Sequence, residues 1–297
     1  MSAPPTYPGA ADRISIAELA AAATVADGAA PFSEQTRLAL DAALPGPTHL
    51  VARDEAGELI GYAQVWPDGT TELAVHPAHR RRGYGRELLT RVRATVPAPR
   101  VWSYAGHPGA DALAAGAGLV RVRELWRMRA PLPVGPDADP PGPVPLPDGV
   151  SVRTFRPERD ADAWVELNAV AFYGHGEQGR LTRADLDARM AADWFDPTGF
   201  FLAERGGRLI GFHWTKVHPA GPDHPAAGEI YVLGVRPTEH GGGLGRALTR
   251  IGLRHLAERG LGTALLYVDA ENAPAVAVYR RMGFAVESSS VMYGPAP

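Results

Sequence analysis

The sequence predicts an α/β protein, more closely an α+β fold with a mixed sheet, made of two tandem domains of the same design. A proline-rich segment at residues 131–148 suits neither a helix nor a central strand and indicates a linker. Matching motifs follow one another in the same order on both sides of it. In each half a helical stretch and a hairpin precede alternating strands and helices, which is typical of a mixed sheet with helices on its faces.

Three pairs of motifs support an internal duplication. The pairs lie at residues 59–62 and 209–212, at 75–77 and 235–237, and at 117–119 and 282–284. One such match can arise by chance, but three in the same order indicate a repeat. The predicted boundaries are residues 1–130 for the first domain, 131–148 for the linker and 149–297 for the second domain.

Composition narrows the class of protein. At 297 residues the chain is long enough for two domains that each bury a core. A net charge of −3 gives no overall positive field, so we expect no nucleic-acid partner and no anionic membrane partner. The absence of cysteine excludes disulfides, thiolate zinc sites and cysteine nucleophiles.

Two further absences in the sequence complete these expectations. Residues 1–11 do not resemble a signal peptide and no apolar segment approaches membrane-spanning length, so we expect a cytoplasmic protein. His213, His218 and His224 lack the spacing of a zinc site, so we expect no metal.

A glycine turn in the first half has the features of an anion site. It follows an apolar strand and opens a helix, where unpaired backbone N–H groups and the helix dipole attract a phosphate. Arg80 beside it adds to the attraction. A solvated basic loop or a nucleic-acid patch is the alternative, but the motif recurs in the second half, which favours anion binding. The predicted ligand-binding residues of this half are Leu73, Ala74, Val75, Arg81, Arg82, Gly83, Tyr84, Gly85 and Arg86.

The second glycine turn enters the helix predicted at residues 247–259. It lacks the later acidic residue of a dinucleotide-binding fingerprint and the Gly-Lys-Ser/Thr of a Walker loop. The predicted anion-binding residues of this turn are His240, Gly241, Gly242, Gly243, Leu244, Gly245 and Arg246.

Both turns fit the pattern Val-x-Pro-x-x-basic-x-x-Gly-x-Gly-x-x-Leu, which is similar to the acetyl-CoA pyrophosphate loop of the GNAT superfamily. The stretch 268–284 resembles the closing signature of the same superfamily. With the tandem layout, residues 211–218 and 228–235 resemble the mycothiol synthase family of actinobacteria. The resemblance adds these acetyl-CoA-binding residues: Asn272, Ala273, Pro274, Ala275, Val276 and Ala277.

One departure from the family concerns the second turn. The family carries arginines where this sequence has His240, Gly241 and Gly242. The added glycines cost ordering entropy, so we expect weaker acetyl-CoA binding there, although backbone N–H groups do most of the binding.

Acetyl transfer to an amine needs a proton acceptor, donors to the carbonyl oxygen and a proton for the leaving thiolate. Glu229 is placed to accept the proton and Tyr279 to supply one. The backbone N–H groups of Leu233, Gly234 and Val235 can pair with the pantetheine arm and polarise the carbonyl.

The first half lacks these side chains. Alignment of the halves puts Gly69, His107 and Ala114 opposite Glu229, Asn272 and Tyr279. We therefore expect the first domain to bind acetyl-CoA without catalysis, and the second to carry the chemistry.

The resemblance implies an acetyl-CoA-dependent N-acetyltransferase that acts on the cysteine amine of a cysteinyl-glucosaminyl-inositol and gives mycothiol. It implies that the partner is a small molecule. We expect the protein to be a monomer. Carried over to this sequence, the acceptor-binding residues are Glu34, Glu177, Lys216, Glu229 and Tyr267. A tandem acetyltransferase for another amine (an aminoglycoside or a peptide N-terminus) and a non-catalytic acyl-CoA sensor are the alternatives. The polar stretch 173–180 favours a sugar-like acceptor, and Glu229 with Tyr279 argues against the sensor.

Overall fold

The computed structural model describes residues 7–133, 143–174, 178–221 and 225–296. The chain forms two compact units. Unit 1 comprises Met1–Trp126, Asp269–Glu271 and Ser288–Pro297, and unit 2 comprises Arg127–Val268 and Asn272–Glu287. Glu177, His224 and the middle of the predicted linker lie outside the described residues.

In unit 1 the strands of a mixed sheet follow the order β1-β2-β3-β4-β11, and the first part of β5 lies next to β11. Strands β1, β2 and β3 are antiparallel neighbours, β3 and β4 are parallel, and β11 is antiparallel to β4. Its elements are α1 (Ala10–Asp27), α2 (Glu34–Asp41), β1 (Thr48–Arg53), β2 (Leu59–Val65), β3 (Thr70–Val75), α3 (Tyr84–Thr95), β4 (Arg100–Ser103), α4 (Pro108–Gly116), the first part of β5 (Val120–Pro131) and most of β11 (Ala285–Gly294).

Unit 2 repeats this design with the strand order β5-β10-β9-β8-β7-β6. Strands β9 and β10 are parallel, and β6 to β9 are antiparallel neighbours. Its elements are the second part of β5, β6 (Val150–Thr154), α5 (Pro157–Ala171), α6 (Arg183–Met190), β7 (Phe200–Arg205), β8 (Arg208–His218), β9 (Ala227–Val235), α7 (Leu244–Glu258), β10 (Thr263–Asp269) and α8 (Ala273–Arg281). The predicted mixed-sheet fold with two similar halves is confirmed.

The repeated Leu-Ile-Gly motif has a packing reason. A Cβ at Gly61 would lie 3.0 Å from Leu88, and a Cβ at Gly211 would lie 3.1 Å from Leu248. Both leucines project from the helix that follows the glycine turn, α3 in unit 1 and α7 in unit 2. Glycine at this strand position therefore lets the helix after the glycine turn approach the sheet closely.

Aromatic side chains fill much of the core of unit 2. Phe200 and Trp214 stack with ring centroids 4.5 Å apart, and Trp164 of α5 packs edge-on against both. All three side chains are fully buried. They fix α5 against β7 and β8 and so hold β8 in place for the site described below.

The end of the sequence contributes a strand to unit 1. Val291 and Tyr293 of β11 pair with Ser103 and Val101 of β4, and their side chains join the core beneath α3. The sequence predicts a single domain boundary at the proline-rich segment, which would place residues 288–297 in the second domain. In the structure these residues belong to unit 1. The strand pattern of β11 predicts a strand but does not specify the sheet that it joins.

Among the described residues, no helix combines the length and the apolar character needed to cross a membrane.

Candidate active site

The site lies where two neighbouring parallel strands of unit 2 separate. Strands β9 and β10 pair up to Ile230 and Leu266, whereas β9 continues to pair with β8 as far as Val235. Beyond Ile230, β9 no longer pairs with β10. The backbone N–H and C=O groups on that edge of β9 can therefore form hydrogen bonds with a ligand. The predicted pantetheine-binding residues, Leu233 to Val235, lie on this open edge.

The glycine turn after β9 presents an uncapped helix end. Gly241 and Gly243 have φ angles of +84° and +81°, in the left-handed region that favours glycine. Helix α7 begins at Leu244, and its N-cap, Gly243, supplies no side-chain cap. The first-turn N–H groups therefore face outward with the positive end of the helix dipole, an arrangement that fits a pyrophosphate.

The corresponding turn of unit 1 has the same shape with a different composition. Gly83 has a φ of +95° at the start of α3, which also has no side-chain cap. Arg81 has a φ of +64° at the position of Gly241 in unit 2. This conformation costs a non-glycine residue about 1–2 kcal/mol. Gly241 adopts the same region of φ without this cost.

Arg80 does not join the arginines that the sequence places around the first turn. Its guanidinium donates two hydrogen bonds of 2.7 Å to the carboxylate of Asp27. These bonds are the main reason why the pKa of Asp27 is lowered. Arg81, Arg82 and Arg86 are exposed, so these three side chains remain for an anion.

Glu229 is a buried carboxylate beside the point where the strands separate. It lies within the last pairs of the β9–β10 ladder, and its side chain is 7% exposed. The Nε2 atom of His218 lies 2.6 Å from Glu229 Oε2. A buried carboxylate with an oriented partner is suited to accept a proton from a substrate.

Sequence reasoning considered His218 only as a metal ligand and missed this contact. The sequence does place His218 two residues after Lys216 on a predicted strand. Because alternate residues of a strand share a face, this spacing could have indicated that the two side chains lie on the same side of the sheet. Lys216 stands directly opposite Glu229 in the β8–β9 register.

The ammonium group of Lys216 lies in an aromatic environment. Its Nζ is 4.0 Å from the ring centroid of Trp194 and 5.2 Å from that of Tyr231. The Nε of Arg189 donates a 2.9 Å hydrogen bond to the hydroxyl of Tyr231. These contacts restrain the charged end of Lys216 at a buried position on the same sheet face as Glu229.

Tyr279 lies on α8, which is capped at its start by Asn272. The Asn272 side chain accepts a 3.2 Å hydrogen bond from the N–H of Ala275. The Tyr279 ring packs edge-on against Phe284, with centroids 5.8 Å apart. Desolvation raises the pKa of Tyr279 to about 12. The hydroxyl is therefore protonated at neutral pH, as a proton donor must be. Within the start of α8, Val276 is buried, whereas Ala273, Pro274 and Ala277 are exposed.

Three predicted acceptor-binding residues remain, and the structure describes two of them. Tyr267, on β10, is 49% exposed and can meet a ligand. Glu34 is the first residue of α2 and belongs to unit 1. Glu177 lies outside the described residues.

The residues of unit 1 aligned with the predicted chemistry have structural roles. At Gly69, with a φ of +89°, a Cβ would lie 2.9 Å from a backbone carbonyl oxygen. His107 caps α4 with its Nδ1, as Asn272 caps α8. Ala114 is buried in the core. Gly69 and Ala114 carry no group that can transfer a proton, and the second ring nitrogen of His107, Nε2, lies 3.4 Å from the carboxylate of Asp27.

Unit 1 also holds a buried carboxylate that the sequence analysis did not single out. Glu72 accepts hydrogen bonds from the Tyr104 hydroxyl at 2.6 Å and from the Ser33 N–H at 2.7 Å. Burial raises the pKa of Glu72. Strands β3 and β4 pair only up to Thr71 and Val101. The hydrogen bond between Tyr104 and Glu72 therefore connects the two chain segments just beyond the point where these strands separate. The position of Glu72 as a single acidic residue in a mainly apolar strand could have indicated a buried carboxylate.

No group of three or more His, Asp or Glu side chains within the described ranges could hold a metal ion.

Family models match both parts of the chain. The model of the GNAT acetyltransferase family matches residues 161–284, and a GNAT acetyltransferase domain model matches residues 45–110.

Two solved structures share the fold over nearly the whole chain. A GCN5-related N-acetyltransferase from Sphaerobacter thermophilus has a TM-score of 0.65 at 27% identity and covers 97% of this chain and 93% of its own. A tandem GNAT protein from the clavulanic acid biosynthesis pathway has a TM-score of 0.67 at 21% identity, with 96% and 95% covered.

Curated relatives match at higher identity. The mycothiol acetyltransferase of Streptomyces bingchenggensis is 53% identical over 287 residues, which are 94% of this chain and 91% of that protein. The mycothiol acetyltransferase of Streptomyces coelicolor is 52% identical over 276 residues, with 90% and 86% covered. With two GNAT domains and these relatives, the chain belongs to the mycothiol acetyltransferase family and is an acetyl-CoA-dependent acetyltransferase.

Proposed function

We propose that the chain acetylates the cysteine amine of a cysteinyl-glucosaminyl-inositol and so forms mycothiol. The observation that carries the proposal is the buried Glu229 carboxylate at the end of the β9–β10 ladder, next to the open edge of β9. The name borne by both Streptomyces relatives supports this acceptor. The proposal places the acetyl transfer in unit 2.

The proposed roles divide among three parts of unit 2. Glu229 accepts a proton from the acceptor ammonium, directly or through a water, and leaves a neutral amine. Tyr279 donates its proton to the departing sulfur. Acetyl-CoA supplies the thioester, with its pyrophosphate at the first turn of α7 and its pantetheine arm along Leu233 to Val235. The open strand edge and the uncapped helix both fit this ligand.

The acceptor-binding residues remain part of the proposal. Lys216 and Tyr267 of unit 2 would donate hydrogen bonds to sugar or inositol hydroxyls, and Glu177 and Glu34 would bind an ammonium or hydroxyl groups. Carboxylates and an ammonium suit a polyol that carries an amine.

An acceptor screen with acetyl-CoA tests this function through release of free CoA. We expect release with a cysteinyl-glucosaminyl-inositol to exceed that with aminoglycosides or peptides, and a chelator to leave the rate unchanged. A preference for an aminoglycoside or a peptide N-terminus would identify a tandem acetyltransferase for another amine. Binding of acetyl-CoA without release in the presence of any amine would identify a sensor. Either result contradicts the proposal.

We also propose that unit 1 binds acetyl-CoA and does not catalyse. The uncapped start of α3, with Arg81, Arg82 and Arg86 exposed around it, supports binding. The structural roles of Gly69 and His107 support the absence of chemistry. The proposal further takes the protein to be a cytoplasmic monomer that acts on small molecules without metal, nucleic acid or membrane.

A matched pair of glycine variants separates the two units. In Gly85→Glu and Gly245→Glu the new Cβ meets side chains at ordinary distances of 3.6 and 3.8 Å, so both variants should fold. The new carboxylate would repel the pyrophosphate at its own helix end. We expect Gly85→Glu to remove one acetyl-CoA site in calorimetry and to change kcat by less than about twofold. Gly245→Glu should raise the KM for acetyl-CoA at least about tenfold.

The same pair can contradict the assignment of the units. Loss of turnover in a folded Gly85→Glu protein, with turnover retained in Gly245→Glu, would place the chemistry in unit 1.

A further inference from the structure

We propose that His218 is a positioning residue for Glu229, and that its Nε2–H holds one carboxylate oxygen so that the other can take the proton of the acceptor. The inference rests on the proposed function, in which Glu229 is the proton acceptor.

The geometry places the imidazole and the carboxylate on one face of the sheet. His218 ends β8, two residues beyond Lys216, and Lys216 is directly opposite Glu229 on β9. Residues opposite each other and residues two apart share a face, so all three side chains project on the same side. The 2.6 Å separation of His218 Nε2 and Glu229 Oε2 is that of a charge-assisted hydrogen bond.

Burial explains why the contact matters for the carboxylate. The Glu229 side chain is 7% exposed, whereas that of His218 is 36% exposed. An ionised carboxylate that is removed from water needs donors, and without them it changes its protonation state or its rotamer. His218 supplies a donor from the solvent side of the site. The other flanking residue, Lys216, has its ammonium 4.0 Å from the Trp194 ring.

The proton assignment follows from this arrangement. An ionised carboxylate only accepts hydrogen bonds, so the hydrogen of the His218–Glu229 bond belongs to Nε2. With Oε2 occupied, Oε1 accepts the proton: an N–H bond of the acceptor ammonium breaks and an O–H bond forms at Oε1, directly or through a water. The amine nitrogen keeps the electron pair and attacks the thioester. His218 keeps its own proton throughout, so it acts by orienting Glu229.

Two substitutions separate orientation from mere packing. His218→Leu removes the donor, and His218→Gln retains an N–H donor near the position of Nε2. We expect His218→Leu to lower kcat on the order of tenfold to a hundredfold, which corresponds to the loss of a hydrogen bond to a charged group. His218→Gln should stay within about threefold of the unsubstituted protein. The dissociation constant for acetyl-CoA, measured by calorimetry, should be unchanged in both.

A double-substitution cycle tests whether His218 acts through Glu229. In a Glu229→Gln background, His218→Leu should cause no further loss of kcat. An equal loss in both backgrounds, or an equal loss in His218→Leu and His218→Gln, would overturn the inference. If Glu229→Gln itself leaves kcat unchanged, the proposed function of Glu229 fails, which is distinct from the failure of His218.

A spectroscopic measurement of the proton position in His218 is independent of turnover. In long-range ¹⁵N–¹H spectra of histidine-labelled protein, we expect a protonated Nε2 for His218, with a resonance that moves in Glu229→Gln. An imidazole with its only proton on Nδ1 would overturn the inference.

Discussion

Tyr279→Phe is expected to lower kcat on the order of 10²–10⁴-fold, the usual contribution of a general acid. The substitution removes the hydroxyl and leaves the ring, so the edge-on contact with Phe284 persists. The free energy of unfolding should therefore change little. The measurement is kcat at saturating concentrations of both substrates, together with denaturant unfolding of the same preparation.

The control and the pH dependence sharpen this test. Tyr7 belongs to unit 1 and its hydroxyl has no hydrogen-bond partner among the described residues, so Tyr7→Phe should leave kcat unchanged. Because the pKa of Tyr279 is about 12, its hydroxyl stays protonated as the pH rises through neutrality. Loss of that proton should therefore not lower the rate below about pH 10, where an ordinary tyrosine titrates. Nearly full kcat in folded Tyr279→Phe would reduce the residue to a packing role.

Glu229→Gln should cause a loss of similar order that depends on pH. Without the carboxylate, the rate follows the fraction of acceptor that is already a neutral amine, and this fraction rises about tenfold per pH unit below the pKa of the amine. The gap between the variant and the unsubstituted protein should therefore be widest at low pH and narrow as the pH rises. Profiles of kcat/KM for the acceptor against pH measure it.

A second carboxylate provides the matched control for Glu229. Glu166 lies on α5 in the same unit and is exposed, so Glu166→Gln should leave the profile unchanged. A loss in Glu229→Gln that is constant across pH would show that the carboxylate does not act as the proton acceptor.

The repeated local motifs were sufficient to predict the fold and the two glycine turns that open a helix. Gly61 and Gly211 recur because each lies beneath the helix that starts at the glycine turn. Gly83 and Gly243 recur because the chain takes a positive φ at each helix start. These requirements act within a few residues or through one close contact, so the sequence displays them directly.

Contacts between distant side chains could not be predicted in the same way. The pairing of His218 with Glu229 depends on the register of β8 and β9, which includes a bulge after Trp214. A bulge shifts one strand by a residue, and sequence alternation alone does not locate it. The bond between Glu72 and Tyr104 likewise depends on where two parallel strands separate.

The placement of β11 affects the order in which the protein can be completed during synthesis. Unit 1 needs Val291 and Tyr293 to cover β4, and the Tyr293 hydroxyl binds Asp111 across 182 residues of sequence. While the ribosome is still making unit 2, the edge of β4 has no partner, and an unpaired edge invites pairing with another chain. The first half of the gene therefore does not encode a complete folding unit, and a cut at the proline-rich segment would leave its product with that edge exposed.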